Sequence, residues 1–284
     1  MKYHSKENIH PTDIVLRVQD IDRSEEFYRE VLGLKLLERK DREISLTADG
    51  KKRLIRLISP ENVVIKPPGR TGLYHFALLL PNRAQLALFF KHIRRLGYPL
   101  IGASDHGVSQ AVYLEDLDGN GIEVYADIDI NRWHRKEANT EIISQPLDYR
   151  GLIKEVEGLR WKGLPQETIM GHIHLQVSDL EEAKKFYIDG IGLELIREIP
   201  NSAVFTASAG YHHHIAFNIW NSKGAEPLPK ESVGMEYYSL KFPNEGLLKK
   251  TVKKLSGLGF KSFENRGKIF VEDPSRNKIA LISQ

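Results

Sequence analysis

Residues 14–36 read IVLRVQDIDRSEEFYREVLGLKL and residues 173–195 read IHLQVSDLEEAKKFYIDGIGLEL, aligned without a gap at a constant offset of 159. Each copy runs strand, Asp, amphipathic helix, Gly turn, strand. In the first, Phe27, Tyr28, Val31 and Leu32 fall on one face at helical spacing. Gly33 and Gly192 fit the left-handed position just past a helix end. A shorter pair, EDLDGNGIE at 115–123 and EDPSRNKIA at 272–280, repeats at offset 157. Each follows a helix-like stretch, Arg83 to Leu96 and Glu245 to Leu258. Such repeats indicate duplicated structural units. The chain therefore reads as four modules near 11–59, 72–128, 170–220 and 235–283, each a strand, a helix and three strands. The expected class is α+β. A polar, Trp-containing linker at 129–169 divides the chain into a first pair of modules, 1–128, and a second pair, 170–284.

Composition narrows the chemistry. The 284 residues suffice for two ordinary domains. With no cysteine, disulfides, thiolate nucleophiles, Fe–S clusters and Cys-type zinc sites are excluded. Any metal must be held by His, Asp or Glu, and there are 11 His. The 41 basic and 38 acidic side chains give a net charge of +3, too balanced to suggest nucleic acid. Apolar runs such as Phe76 to Leu80 are far too short to cross a bilayer. The opening MKYHSKENIH lacks the apolar stretch of a secretory leader. A cytoplasmic protein without nucleic-acid or membrane partners is the expectation. The basic runs Lys51-Lys52-Arg53 and Lys249-Lys250 read as solvated faces.

The module opening, with a ligand position seven residues before an Asp and a helix ending FY..VLGL, resembles the vicinal oxygen chelate superfamily, which includes glyoxalase I and the extradiol dioxygenases. The resemblance covers nearly the whole chain. It implies βαβββ modules paired into open, cup-shaped sheets around one metal, with ligands from the first and last strands of a module. The second module is more specific. His106, Val112-Tyr113, Asp116-Leu117-Asp118-Gly119 and Glu123 follow the extradiol signature of a His, an apolar residue and Tyr, Asp-Pro-x-Gly, then Glu. Leu117 replaces the Pro, and Ser104 is also outside the usual set. Within the superfamily the chain most resembles the catechol 2,3-dioxygenases, with their tandem modules and the segment GYHHHIAFNIW.

Asp13, His75, His172 and Tyr237 align with the superfamily's first-strand ligand. Glu123, Ala216 and Ala280 align with the last-strand ligand in modules two, three and four. Pairing modules two and three gives His75, His172 and Glu123, two His and a carboxylate, the facial triad of non-haem Fe(II) oxygenases. Pairing modules one and two gives Asp13, His75 and Glu123, and module four cannot hold iron. The first set is preferred, leaving module four as a structural unit packed against module one. The resemblance further implies an acid–base His, best matched by His214 of the run His212-His213-His214, and a second pair, His106 and Tyr113.

Each reading has a plainer rival. A His on a strand is more often structural than a ligand. His174 shares a face with His172. The His212–His214 run fits a core cluster, and Asp118-Gly119-Asn120-Gly121 fits a tight hairpin turn that delivers Glu123 to its strand. The expected function is an Fe(II) extradiol dioxygenase, with Mn(II) compatible, taking a small aromatic diol and O2 to a muconic semialdehyde. The rivals are a glyoxalase-type isomerase or lyase, a hydroquinone-cleaving relative and a non-catalytic binding protein. The reading leaves room for a homo-oligomer.

Overall fold

The computed structural model describes residues 2–133, 135–136, 139–140, 142–265 and 267–283. Four modules are seen. Their first strands are His10–Arg17, Gly72–Leu79, Ile169–Gln176 and Gly234–Lys241. In each module the chain leaves the first strand, crosses through a helix and returns as three strands. The last of these lies parallel beside the first, so each module has the order first, fourth, third, second.

The sheets cross the 129–169 linker. Modules two and three share a nine-stranded sheet, joined by antiparallel pairing of Gly72–Leu79 with Ile169–Gln176. Modules one and four share an eight-stranded sheet, joined through His10–Arg17 and Gly234–Lys241. Side chains alternate across a strand with period two. Ile14 and Leu16, Phe76 and Leu78, Ile173 and Leu175, and Tyr238 and Leu240 all enter one shared core. The alternate positions, among them Asp13, His75, His172 and Tyr237, are thereby turned to the opposite faces.

The repeated motifs have local reasons. Asp20 and Asp179 are helix N-caps whose carboxylates accept from backbone N–H groups of the first turn. Phe27–Val31 and Lys185–Ile191 continue these short helices as π-helical turns, a departure from the single α-helix predicted. Gly33 and Gly192 close them with φ of +83° and +91°. The second repeat is a carboxylate-centred turn. Asp116 accepts from the N–H groups of Asp118 and Asn120 and from the Asn120 amide, and Tyr28 donates to it at 2.8 Å. Asp273 does the same for Ser275 and Asn277, with Tyr187 donating at 2.9 Å. Each Tyr–Asp bond ties one sheet to the other.

The linker is more than a spacer. It supplies the edge strand Gln145–Pro146 to the nine-stranded sheet and the helix Tyr149–Lys154. Among the described residues, no helix is long and apolar enough to cross a membrane.

Candidate metal centre

His75 and His172 arrive on the two paired first strands, and Glu123 on the last strand of module two, beside Ala77 and Tyr113. The register shifts just before His172, a bulge that re-aims the side chain. Glu123 Oε2 lies 3.0 Å from His75 Nε2 and 3.1 Å from His172 Nε2, and the two nitrogens are 3.3 Å apart. All three residues are buried. Imidazole lone pairs facing one another across a carboxylate repel unless a cation stands among them. The spacing suits three donors each about 2.1 Å from a common ion, so the residues fit a divalent metal.

Their protonation suits it too. Burial would push the Glu123 carboxyl up, but the two imidazoles outweigh it and hold the group well below the usual carboxylate range. Burial drives His172 down to about 4, against the pull of Glu123. At neutral pH the pair is a carboxylate and a neutral imidazole, and neither needs to shed a proton to ligate. His172 Nδ1 has no hydrogen-bond partner. The ring is held by packing, with His213 at 4.0 Å between centroids.

Two of the three, His75 and Glu123, line a cavity of about 830 Å³. His174 lines it, 4.9 Å from the His75 ring, with Nε2 bonded to the Asn218 amide at 3.0 Å. Tyr113 and His106 line it together. His106 Nδ1 donates to the Ile143 carbonyl at 2.7 Å, which leaves Nε2 to accept from the Tyr113 hydroxyl at 2.7 Å. Burial and the Glu123 charge raise the Tyr113 phenol well above 10, so it remains a neutral hydroxyl.

His214, the expected acid–base group, is not among the residues that line the cavity. It is fully buried away from the cavity, against Tyr211 and His4, with Nε2 donating to the Tyr3 carbonyl at 3.2 Å. His213 lines the cavity instead. The physical reason is that the strand begins only at Ile215. The three histidines sit on a bend, where alternation fails, and the N-terminal turn Lys2–His4 fills the space in front of His214. Burial and the neighbouring histidines hold His213 well below its usual range. Nothing in the sequence marked the N-terminal turn as part of this region. Nor did it mark Ile142 and Ile143, the linker residues that wall the cavity.

Glu123 depends on the residue two before it. A Cβ at Gly121 would meet the Tyr74 carbonyl oxygen at 2.1 Å, backbone against backbone beside His75. Gly121→Ala is therefore expected to cost about 3 kcal/mol or more and to weaken metal binding with it. Denaturation and metal titration of the variant check this, and wild-type values in both refute it.

The model of the Glyoxalase/Bleomycin resistance protein/Dioxygenase superfamily matches residues 10–124 and 169–281. The chain belongs to this superfamily. It is 41% identical over 262 residues to a Bacillus subtilis protein named catechol-2,3-dioxygenase, covering 91% of this chain and 92% of the relative. It is 26% identical over 115 residues to biphenyl-2,3-diol 1,2-dioxygenase 3 of Rhodococcus globerulus, covering 40% of this chain and 60% of the relative. Among solved structures, a putative dioxygenase of Bacillus subtilis superposes with a TM-score of 0.64 at 13% identity, covering 98% of this chain and 86% of that one. Glyoxalase I of Zea mays does so with 0.59 at 17%, covering 97% and 92%. These two show the glyoxalase/extradiol dioxygenase fold.

The second cup of this superfamily member differs in kind. At its ligand positions stand Asp13, Tyr237 and Ala280. Asp13 is paired with the Arg53 guanidinium at 2.8 Å, a fixed cation where the first cup gathers donors. Among the described residues, His75, Glu123 and His172 are the one group of metal-ligating side chains that converges.

The histidines outside the triad predict acid instability. Desolvation lowers His10, His92 and His214, and takes His4 to about 3. The unfolded chain takes up these protons near pH 6.5, the folded one at lower pH. Their stabilising effect is therefore complete above about pH 6.5 and is lost as pH falls. Asp273, which burial pushes up to about 6, works the other way, losing stability as pH rises from about 4. Asp118, which burial also raises, acts with it, so two carboxyls stand against these four histidines. Denaturant melts from pH 7.5 to 4.5 should show a steep fall, and a flat profile would refute it.

Proposed function

We propose that the protein cleaves a catechol beside its diol with O2, at Fe(II) held by His75, His172 and Glu123. The observation that carries this reading is the buried convergence of two His and one carboxylate, with His75 and Glu123 lining a cavity large enough for an aromatic diol. That the chain is an extradiol ring-cleaving dioxygenase rests on its 41% identity, over 91% of its length, with the relative of that name.

When bound, Fe(II) supplies the redox centre at which diol and O2 meet, a role closed to zinc. The protein's own groups handle protons and position. His213, held neutral, accepts a proton from a diol hydroxyl and returns one as the ring opens. Tyr113 faces the same space with its hydroxyl committed to His106, so its oxygen accepts from the substrate. His106 is fixed by the linker carbonyl of Ile143. Mn(II) suits the same donors. A glyoxalase-type isomerase uses a fourth protein ligand, and Ala216 stands at that position.

The test is anaerobic purification, loading with Fe(II) and exposure to catechol and air. A yellow semialdehyde, formed with one O2 consumed per catechol, is expected. Absence of ring cleavage by protein loaded with either Fe(II) or Mn(II) would sink the reading.

A further inference from the structure

We propose that Arg197 forms an anion subsite in the wall of the triad's cavity, and that the preferred substrate is a catechol carrying a carboxylate substituent. The proposal rests on the ring-cleavage reading above and narrows its substrate class.

The cavity is largely apolar beyond the triad, with Ile142, Ile199, Phe205 and Trp220 in its lining. Among the described lining residues, Arg197 is the one Lys or Arg. Its Nε is buried with no hydrogen-bond partner among the described residues. The acids on its own strand are engaged elsewhere. Glu198 holds Lys184 at 3.0 Å, and Glu194 accepts from the Ala209 N–H at 3.2 Å. An arginine kept for structure would be expected to pair with one of them. Among the described residues no carboxylate is bonded to the Arg197 guanidinium, and its planar fork matches a carboxylate.

Register places the group usefully. His75 pairs with His174, His174 with Ala216, Ala216 with Phe205, and Phe205 with Arg197. These five residues make one row across five adjacent strands of the curled sheet. A metal ligand stands at one end and the cation at the other. Between them His174 and Phe205 line the cavity, and Ala216 is buried behind it. A diol seated at the triad would extend a ring substituent toward Arg197.

The test compares 3,4-dihydroxyphenylacetate with its neutral amide. The proteins are wild type, Arg197→Met and Arg197→Lys, each checked for metal content and circular dichroism. Wild type is expected to favour the acid in kcat/KM by about tenfold or more, the scale of one hydrogen-bonded contact to a charged group. In Arg197→Met the acid-to-amide ratio should collapse toward one, and Arg197→Lys should restore part of it. Wild type treating acid and amide alike, or a ratio unchanged in Arg197→Met, would overturn the proposal while cleavage of either diol upholds the dioxygenase reading. Anaerobic calorimetry with the same two probes separates the converse case. Arg197-dependent binding of the acid without cleavage of any diol would sustain the subsite and sink ring cleavage.

Discussion

Glu123→Ala is expected to leave a folded protein that holds no divalent metal and cleaves no diol. Glu123 Oε2 is the point on which both imidazoles converge, at 3.0 and 3.1 Å. It is also the one carboxylate in the set, and so the one charge that offsets a cation. Without it two neutral imidazoles remain, and affinity should fall well beyond the 10–100-fold that altering a ligand's supporting hydrogen bonds typically costs. Stability of the metal-free fold should survive. The two imidazoles offset the burial of this carboxylate, so its loss should cost some stability while the core shared by the two sheets keeps the chain folded. Elemental analysis should show occupancy falling from near one to near zero, with turnover below about one per cent, since the metal supplies the reaction's redox step. Glu123→Gln, which keeps the shape and loses the charge, should behave alike. A variant that keeps its metal would mean that His174 or the second cup supplies the ligands.

Much of this was legible in the sequence because the fold is written twice. The offset of 159 carries a helix cap, Asp20 and Asp179, and a left-handed helix end, Gly33 and Gly192. Both are set by backbone geometry that few residues satisfy. The triad was legible by chemistry, since one pairing of modules supplies two His and a carboxylate at aligned positions. The EDLDGN repeat proved to be a tie between sheets, Asp116 to Tyr28 and Asp273 to Tyr187. Its recurrence in a module without metal ligands is thereby explained.

What stayed hidden was set by contacts between distant segments. The linker's polarity suggested a tether, yet its Ile142 and Ile143 wall the cavity and its Ile143 carbonyl fixes His106. The bulge at His172 and the clash that reserves position 121 for glycine depend on strands distant in the sequence, Gly72–Leu79 in both cases. The choice among His212, His213 and His214 required knowing where the strand begins. Two-residue alternation assigns a face only inside a strand, and these three precede it.

That choice carries the second large effect. His213→Phe is expected to keep its metal while kcat falls by about 10²–10⁴, the usual worth of a positioned acid–base group. The ring lies on the cavity wall and packs 4.0 Å from His172, and phenylalanine preserves that packing, so metal occupancy should hold. His214→Phe is the control. It removes the bonds to the Tyr3 carbonyl and the Ser208 N–H and leaves those groups unpaired in a buried setting. It should cost stability, about 1–3 kcal/mol, and change turnover little in whatever protein remains folded. Steady-state kinetics, metal content and denaturant melts of both variants therefore give opposite signatures. If His214→Phe carries the loss of turnover with unchanged stability, the acid–base group lies behind the triad and the cavity assignment is wrong. If His213→Phe loses metal, His213 is a fourth ligand, the site is no longer a facial triad, and the case against a glyoxalase-type isomerase falls with it.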